Sequence, residues 1–235
     1  TYTAATLVAL GLLTQRQLTN LLTYSEQFDN AAWLKANAAD GVTANATTAP
    51  DGALTADKYI PAAASSSHHF YRSFTAALST AYTYSVYAKQ GEKNWFYIYF
   101  EGDKFPGATR TFFNTATGAI GSVQSGCTAT MEALPNGWYR CSVTQTSLSS
   151  GTSSFASCGI SNGDGAANVT YTGDGTSGLF VWGADLKELS FVSSYTPTTS
   201  AAVTQTADSI TVTGSNFTGI HSATAGTLYA EFNVI

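Results

Sequence analysis

AYTYSVYAKQGEKNWFYIYF, residues Ala81 to Phe100, is the stretch on which the reading of the chain turns. Two alternating runs flank Gln90-Gly91-Glu92-Lys93, whose Gly and polar side chains suit a tight connection between strands. In the second run Phe96, Ile98 and Phe100 share one parity and are expected to face a core, while Trp95, Tyr97 and Tyr99 share the other. The outer face of an antiparallel sheet normally reads polar, so an outward row of Trp and Tyr needs a reason. It has two readings. The row is an exposed platform on which sugar rings stack, or it is covered by a second layer, another domain or an oligomer partner.

With 44% hydrophobic residues, a 235-residue chain has ample material for a buried core. Charged residues make up only 11%, and Thr, Ser, Ala, Gly and Tyr fill the space, a composition suited to strands and turns. A net charge of -5 argues against nucleic acid as a partner, because that affinity rests on clustered Lys and Arg. Cys127, Cys141 and Cys158 lack the spacing of a zinc site. If Pro135-Asn136-Gly137 closes a hairpin, Cys127 falls opposite Thr144 to Thr146, out of disulfide reach of Cys141, so all three cysteines are read as free.

Residues 1–22 place Leu7, Leu10, Leu18, Leu21 and Leu22 near helical spacing. They read as a short helical or extended anchor, or as the end of an upstream domain. They lack the basic start of a signal peptide and are too short to span a membrane before Gln15-Arg16-Gln17. From Tyr24 onward short alternating runs are separated by turn chemistry about every ten residues. Strands are predicted at 56–60, 68–74, 81–89, 94–100, 109–114, 128–134, 138–144, 154–160 and 178–189, with two more at 209–213 and 227–234. Pro50-Asp51-Gly52, Pro135-Asn136-Gly137, Asn162-Gly163-Asp164-Gly165 and Gly173-Asp174-Gly175 supply turns between them. So many antiparallel strands in one unit predict an all-β sandwich of two sheets.

Five segments carry a resemblance: NLLTYSEQFDNAAW (Asn20 to Trp33), ATTAPDGALTADKYI (Ala46 to Ile60), YTYSVYAKQGEKNW (Tyr82 to Trp95), NGWYRCSVT (Asn136 to Thr144) and YTGDGTSGLFVWGADLKELSFVSSYTPT (Tyr171 to Thr198). In order and spacing they resemble the jelly-roll domain of bacteriophage and prophage virion proteins, head spikes or tail-fibre-like chains. That domain in turn is similar to the jelly-roll carbohydrate-binding modules of polysaccharide-degrading enzymes. The resemblance implies an antiparallel jelly-roll β-sandwich over residues 23–200. It further implies a homo-oligomer on the surface of a virion, bound to capsid or tail proteins through the N-terminal segment and to host surface polysaccharide. Residues 201–235 read as a linker followed by strands that resemble the opening of a concanavalin-like lectin domain, with Ile220-His221 where an aromatic pair is usual. The sequence stops in mid-strand at Ile235, so continuation of the chain or pairing with a neighbouring subunit is expected.

No catalytic set is expected. Glu92, Glu101, Asp103, Glu132 and Glu188 show no spacing that would place two carboxylates about a glycosidic bond, and no G-x-S-x-G elbow occurs. His68 and His69, adjacent on a strand, point to opposite faces and read as ordinary strand-edge residues, as does His221 near a turn. No metal or cofactor is expected, although the resembled modules often hold a structural calcium, toward which Glu26 and Asp185 are the acidic residues placed to serve. The expected binding set is Trp95, Tyr97 and Tyr99, joined across the opening hairpin by Tyr87 and Lys89 and by Trp138 and Arg140 from the Trp138–Val143 run. Arg72 shares parity with Phe70 and Phe74 and so needs a partner. These features give a non-enzymatic adhesin of a phage-like particle. The alternatives are a structural spacer or decoration without glycan affinity, and a carbohydrate-binding module of a secreted enzyme.

Overall fold

The computed structural model describes residues 17–105, 110–148 and 150–206. In chain order the strands are β1 (Leu18–Asn20), β2 (Leu34–Lys35), β3 (Gly41–Thr47), β4 (Ala56–Ile60), β5 (Ser65–Ser73), β6 (Ala81–Lys89), β7 (Trp95–Glu101), β8 (Thr111–Asn114), β9 (Ala119–Ile120), β10 (Cys127–Ala133), β11 (Trp138–Thr146), β12 (Phe155–Ser161), β13 (Thr170–Thr172), β14 (Leu179–Lys187) and β15 (Val203–Gln205). One sheet runs β10-β11-β6-β14-β4-β3 and the other β13-β5-β12-β7-β8-β9, with β2 also against β5. Every pairing is antiparallel.

This is a jelly roll. The strand pairs β4–β14, β6–β11, β5–β12 and β7–β8 are nested in sequence, and β4 to β7 alternate between the two sheets. Outside these pairs, β1 lies along β15, and Leu18–Gln205 makes up one compact unit. The alternation of side chains decides what lies between the sheets. Tyr82, Tyr84, Val86 and Ala88 of β6 meet Phe96, Ile98 and Phe100 of β7, with Cys141, Val143, Cys158 and Ile160 from β11 and β12. Each such large apolar side chain contributes roughly 1.5–3 kcal/mol by leaving water. The parity expected for both runs of the opening stretch is therefore found.

The connection between those runs is a correction. β6 and β7 do not pair; they belong to opposite sheets, so Gln90–Asn94 is an arch between layers rather than a hairpin. Lys93 N–H donates to Gly178 O at 3.0 Å, and a Cβ on Gly91 would lie 2.4 Å from the same oxygen. The arch is thus pinned to the loop before β14, a contact made with residues far along the chain.

The hairpin predicted around Pro135-Asn136-Gly137 is present, with Asn136 and Gly137 at φ 62° and 76°. Cys127 lies opposite Gln145, and the three cysteines are free. Near the N-terminus, Leu18–Asn20 is a strand and Leu22 is buried in the core, so a helix at Leu18–Leu22 is overturned, while Leu7 and Leu10 lie outside the described residues. Asn20 explains the geometry: its buried amide donates to Ala184 O and Thr196 O, and its Oδ1 accepts from Leu22 and Leu186 N–H. The strands β1, β2, β3, β9, β13 and β15 were not predicted; most are short, and β3 is broken by a register shift. Residues 1–16 of the anchor expected over residues 1–22 and the strands predicted at 209–213 and 227–234 lie outside the described residues, as does His221.

Candidate functional site

The outer face of the second sheet is set by register. Ser73, Phe155 and Glu101 form one cross-strand row; Tyr71, Ser157 and Tyr99 the next; His69, Gly159, Tyr97 and Phe112 the third; Ser161, Trp95 and Asn114 the last. Burial is deepest in the third row and falls off toward both ends. Tyr97, Tyr99 and Phe112 pack with Val169 into a second apolar cluster, with Trp95 half-buried at its margin. Gly159 makes room for this, because a Cβ there would lie 2.7 Å from the Tyr97 ring and 2.3 Å from His68 O. The Arg110 guanidinium lies over Tyr99 at 4.5 Å and over Tyr97 at 5.3 Å, a cation–π cap on the row. Trp95, Tyr97 and Tyr99 are therefore not the solvent-facing row that one reading expected. Tyr97 and Tyr99 are covered from within the same unit, and Trp95 is half-buried beside them.

The other predicted residues lie in the first sheet, on its outer face, and do not join the row. Tyr87 and Trp138 form a third cluster with Trp182, Ala49 and Ala56. Trp138 Nε1 donates to Thr48 O at 3.1 Å and Trp182 Nε1 to Thr55 Oγ1 at 3.0 Å, so the segment before β4 lids both rings. Arg140 is buried: it donates to Ser85 Oγ, to Ser193 O at 2.7 Å and to Asp185 Oδ2 at 3.3 Å, and lies over Tyr87 at 5.4 Å. Lys89 is half-buried beside Trp138 and Phe180. The expected seven-residue platform is thus split between the two sheets, because β6 and β7 are not neighbours, and its aromatic members are mostly buried.

At the open end of the second sheet's outer face a different set comes together. Half-buried Tyr71 and Phe155 meet edge-to-face, 5.7 Å apart at 88°, and exposed Leu34 lies opposite Tyr71 on β2. In the adjoining rows are Glu101, Ser157 and Arg110-capped Tyr99. A polar chain orients the carboxylate. Tyr99 OH donates to Glu101 Oε2 at 3.0 Å and Ser157 Oγ to the same oxygen at 3.4 Å; His69 Nε2 stands 2.9 Å from Tyr99 OH, which makes it the donor to that hydroxyl. Glu101 Oε1 accepts no hydrogen bond among the described residues, and its side chain is 41% exposed. Burial, reinforced by the Arg110 charge, lowers His69 to a pKa of about 4, so the ring is neutral near pH 7. The chemistry on offer is an apolar ring edge beside an oriented acceptor and a guanidinium, the means by which a surface holds a polyhydroxylated ring.

Both adjacent histidines are buried, which corrects their reading as strand-edge residues. His68 Nδ1 lies 2.7 Å from Asp40 Oδ1 and Nε2 3.1 Å from Tyr171 O, so both nitrogens face acceptors. Arg72 has the partners it needed: Ala32 O, Thr23 Oγ1 and the Trp33 ring, 5.9 Å away. Burial lowers its pKa. The two carboxylates considered for calcium do not converge. Asp185 lies against Lys187 and Arg140, at 3.1 and 3.3 Å, with burial holding its pKa up at about 6, and Glu26 accepts from Tyr195 OH at 2.9 Å. Glu26 lines a recess of about 350 Å³ with Asp29, Asn45 and Asp57, yet no group of three or more His, Cys, Asp or Glu among the described residues is placed to hold a metal ion. Of the Gly-Asp-Gly loops, the second is a local turn in which Asp174 accepts from the Thr176 and Ser177 N–H groups, at 2.9 and 2.7 Å, while Asp164 of the first accepts from the Ser122 N–H and hydroxyl, at 2.8 and 3.1 Å. No helix among the described residues is long and apolar enough to cross a membrane.

No protein-family model matches the chain, and no curated protein matches it. Among solved structures, the chain is similar to the CBM22-1–GH10 modules of the Clostridium thermocellum N-terminal endo-1,4-β-D-xylanase 10B, complexed with xylohexaose. The identity is 14% and the TM-score 0.42, over 77% of this chain and 30% of that one.

Proposed function

We propose that this chain is a non-catalytic display domain of a phage-like particle that adheres to host surface glycan. Adhesion runs through the open end of the second sheet's outer face, with Tyr71 and Phe155 as the apolar contact and Glu101, oriented by buried Ser157, and Arg110 as the directing polar groups. The observation that carries the binding reading is the Tyr71–Phe155 edge beside Glu101, whose Oε2 is anchored and whose Oε1 has no partner among the described residues. The virion setting rests on the resemblance of Asn20 to Ser200 to phage spike and fibre jelly rolls, and in that setting the N-terminal segment attaches the domain to capsid or tail. A specific observation favours a second reading, the structural spacer: Tyr97, Tyr99 and Trp138 are spent on internal packing.

Binding of the 235-residue chain to host surface polysaccharide, measured by calorimetry and in multimerised form to gain avidity, separates the two. Saturable binding that falls at least about tenfold in Tyr71→Ala and in Glu101→Gln, each with an unchanged unfolding midpoint, supports adhesion. Absence of binding by the multimerised parent leaves the spacer. Detection of the chain by labelled antibody on intact particles tests the virion setting separately.

A further inference from the structure

The two main sheets end in β10 and β3 and in β13 and β9. An edge strand exposes unpaired N–H and C=O groups, and most proteins blunt such edges. Here β3 is blunted by a register shift between Thr43 and Thr47, with Asn45 at φ 53° and its N–H bound to Asp57 Oδ1. β13 and β9 are too short to template another strand. Among the described residues, β10 has none of these protections. Cys127–Ala133 pairs with β11 without a break, contains no Pro, Lys or Arg, and carries Glu132 as its one charge.

The hairpin fixes which groups of β10 are free. Leu134 N–H donates to Trp138 O at 2.8 Å, so residues in phase with it, Glu132, Thr130 and Thr128, turn their backbone groups to β11. Ala129, Met131 and Ala133 then turn theirs outward, while Cys127 N–H is already bound to Gln124 O. On the core side Cys127, Ala129 and Met131 pack against the core yet stay only half-buried, so the apolar interior is open along this edge. On the other side Thr128, Thr130 and Glu132 are exposed.

We propose that β10 is a self-association surface, pairing antiparallel with β10 of a second copy about a two-fold axis at Thr130. That register overlaps the whole strand and places Cys127 opposite Ala133, Thr128 opposite Glu132 and Ala129 opposite Met131. It joins the outward backbone groups of Ala129 to those of Met131, sets each Glu132 against a Thr, and covers the half-open Met131 edge. The pattern is self-complementary, which an isologous contact requires, and the two copies then share one continuous sheet.

Sedimentation equilibrium of the full 235-residue chain tests this, with Thr130→Lys, Thr130→Glu and Ala129→Pro alongside. Thr130 is exposed, though its hydroxyl meets Ser142 Oγ at 2.5 Å, so the charged variants are compared at matched unfolding midpoints, where either charge meets its own copy across the axis; Ala129→Pro removes an outward N–H and no bond to β11. The parent is expected to be a dimer. Each charged variant is expected to weaken it by about tenfold or more, an equimolar mixture of the Lys and Glu variants to restore it, and Ala129→Pro to abolish it. A monomeric parent at every concentration overturns the proposal. So does any assembly that Thr130→Lys and Ala129→Pro leave unchanged, or a dimer strengthened by Thr130→Lys alone, which would place the axis elsewhere.

Discussion

Replacing Asp40 with Ala tests the buried polar cluster that ties the β2–β3 loop to β4 and β5. Asp40 and His68 have fully buried side chains. The carboxylate accepts from Tyr59 OH at 2.5 Å, from Ala62 N–H at 2.8 Å and from His68 Nδ1 at 2.7 Å. Alanine leaves these donors without an acceptor and without water. Each orphaned buried donor costs about 1–3 kcal/mol, and partial relaxation brings the expected total to about 4 kcal/mol. That is a large share of the roughly 5–15 kcal/mol that holds a domain together. Urea unfolding followed by tryptophan fluorescence should show the midpoint falling by about 2 M at an unchanged slope of roughly 2 kcal/mol/M. Asp40→Asn keeps an acceptor for His68 and Ala62 and should cost less than half as much. A fall below about 0.5 M for Asp40→Ala, or equal effects of the two substitutions, would refute the claim that these hydrogen bonds carry the cost.

Two further outcomes follow from the second sheet. Gly159→Ala sets a Cβ at 2.3 Å from His68 O and 2.6 Å from His69 Cβ, both in the adjacent strand, and should lower stability by about 2 kcal/mol or more, read from the same unfolding curves. His69, whose folded-state pKa is lowered to about 4, binds its proton less readily folded than unfolded. Its contribution is therefore full above the unfolded value near 6.5 and is lost as pH falls toward 4. The loss amounts to on the order of 3 kcal/mol relative to His69→Gln, and an imidazole NMR titration with its midpoint near 4 checks the shift itself.

The strand texture was legible because parity is local: nothing beyond the sequence from Tyr82 to Phe100 is needed to put Tyr84, Val86, Phe96 and Ile98 on the same side of the problem. What covers the opposite side is not local. Arg110, Val169 and His69 reach Tyr97 and Tyr99 from other strands and loops, and Thr48 and Thr55 reach Trp138 and Trp182 in the same way. Alternation reports that residues share a face and is silent on whether that face is solvent. The sheet-crossing of Gln90–Asn94 was likewise hidden, because the contact that pins it, Gly178, lies far along the chain. Tyr71, Phe155 and Arg110 carried a weak signal at most: Tyr71 and Phe155 come from predicted strands, but only the β5–β12 register places them side by side.

The nesting of strand pairs also dictates an order of assembly. A chain emerging from the ribosome can close β7 on β8 as soon as both are free, since few residues separate them. β6 must wait for β11, β5 for β12 and β4 for β14, each partner arriving later than the last. Loop closure grows costlier outward, so growth from the innermost hairpin is the cheapest route. Until β14 leaves the exit tunnel, β4 and the edge of β6 away from β11 stand without their final neighbour. Folding of this domain is thus completed from its C-terminal half after most of its synthesis is over, and an N-terminal fragment ending before Leu179 should need a holding chaperone to stay in solution.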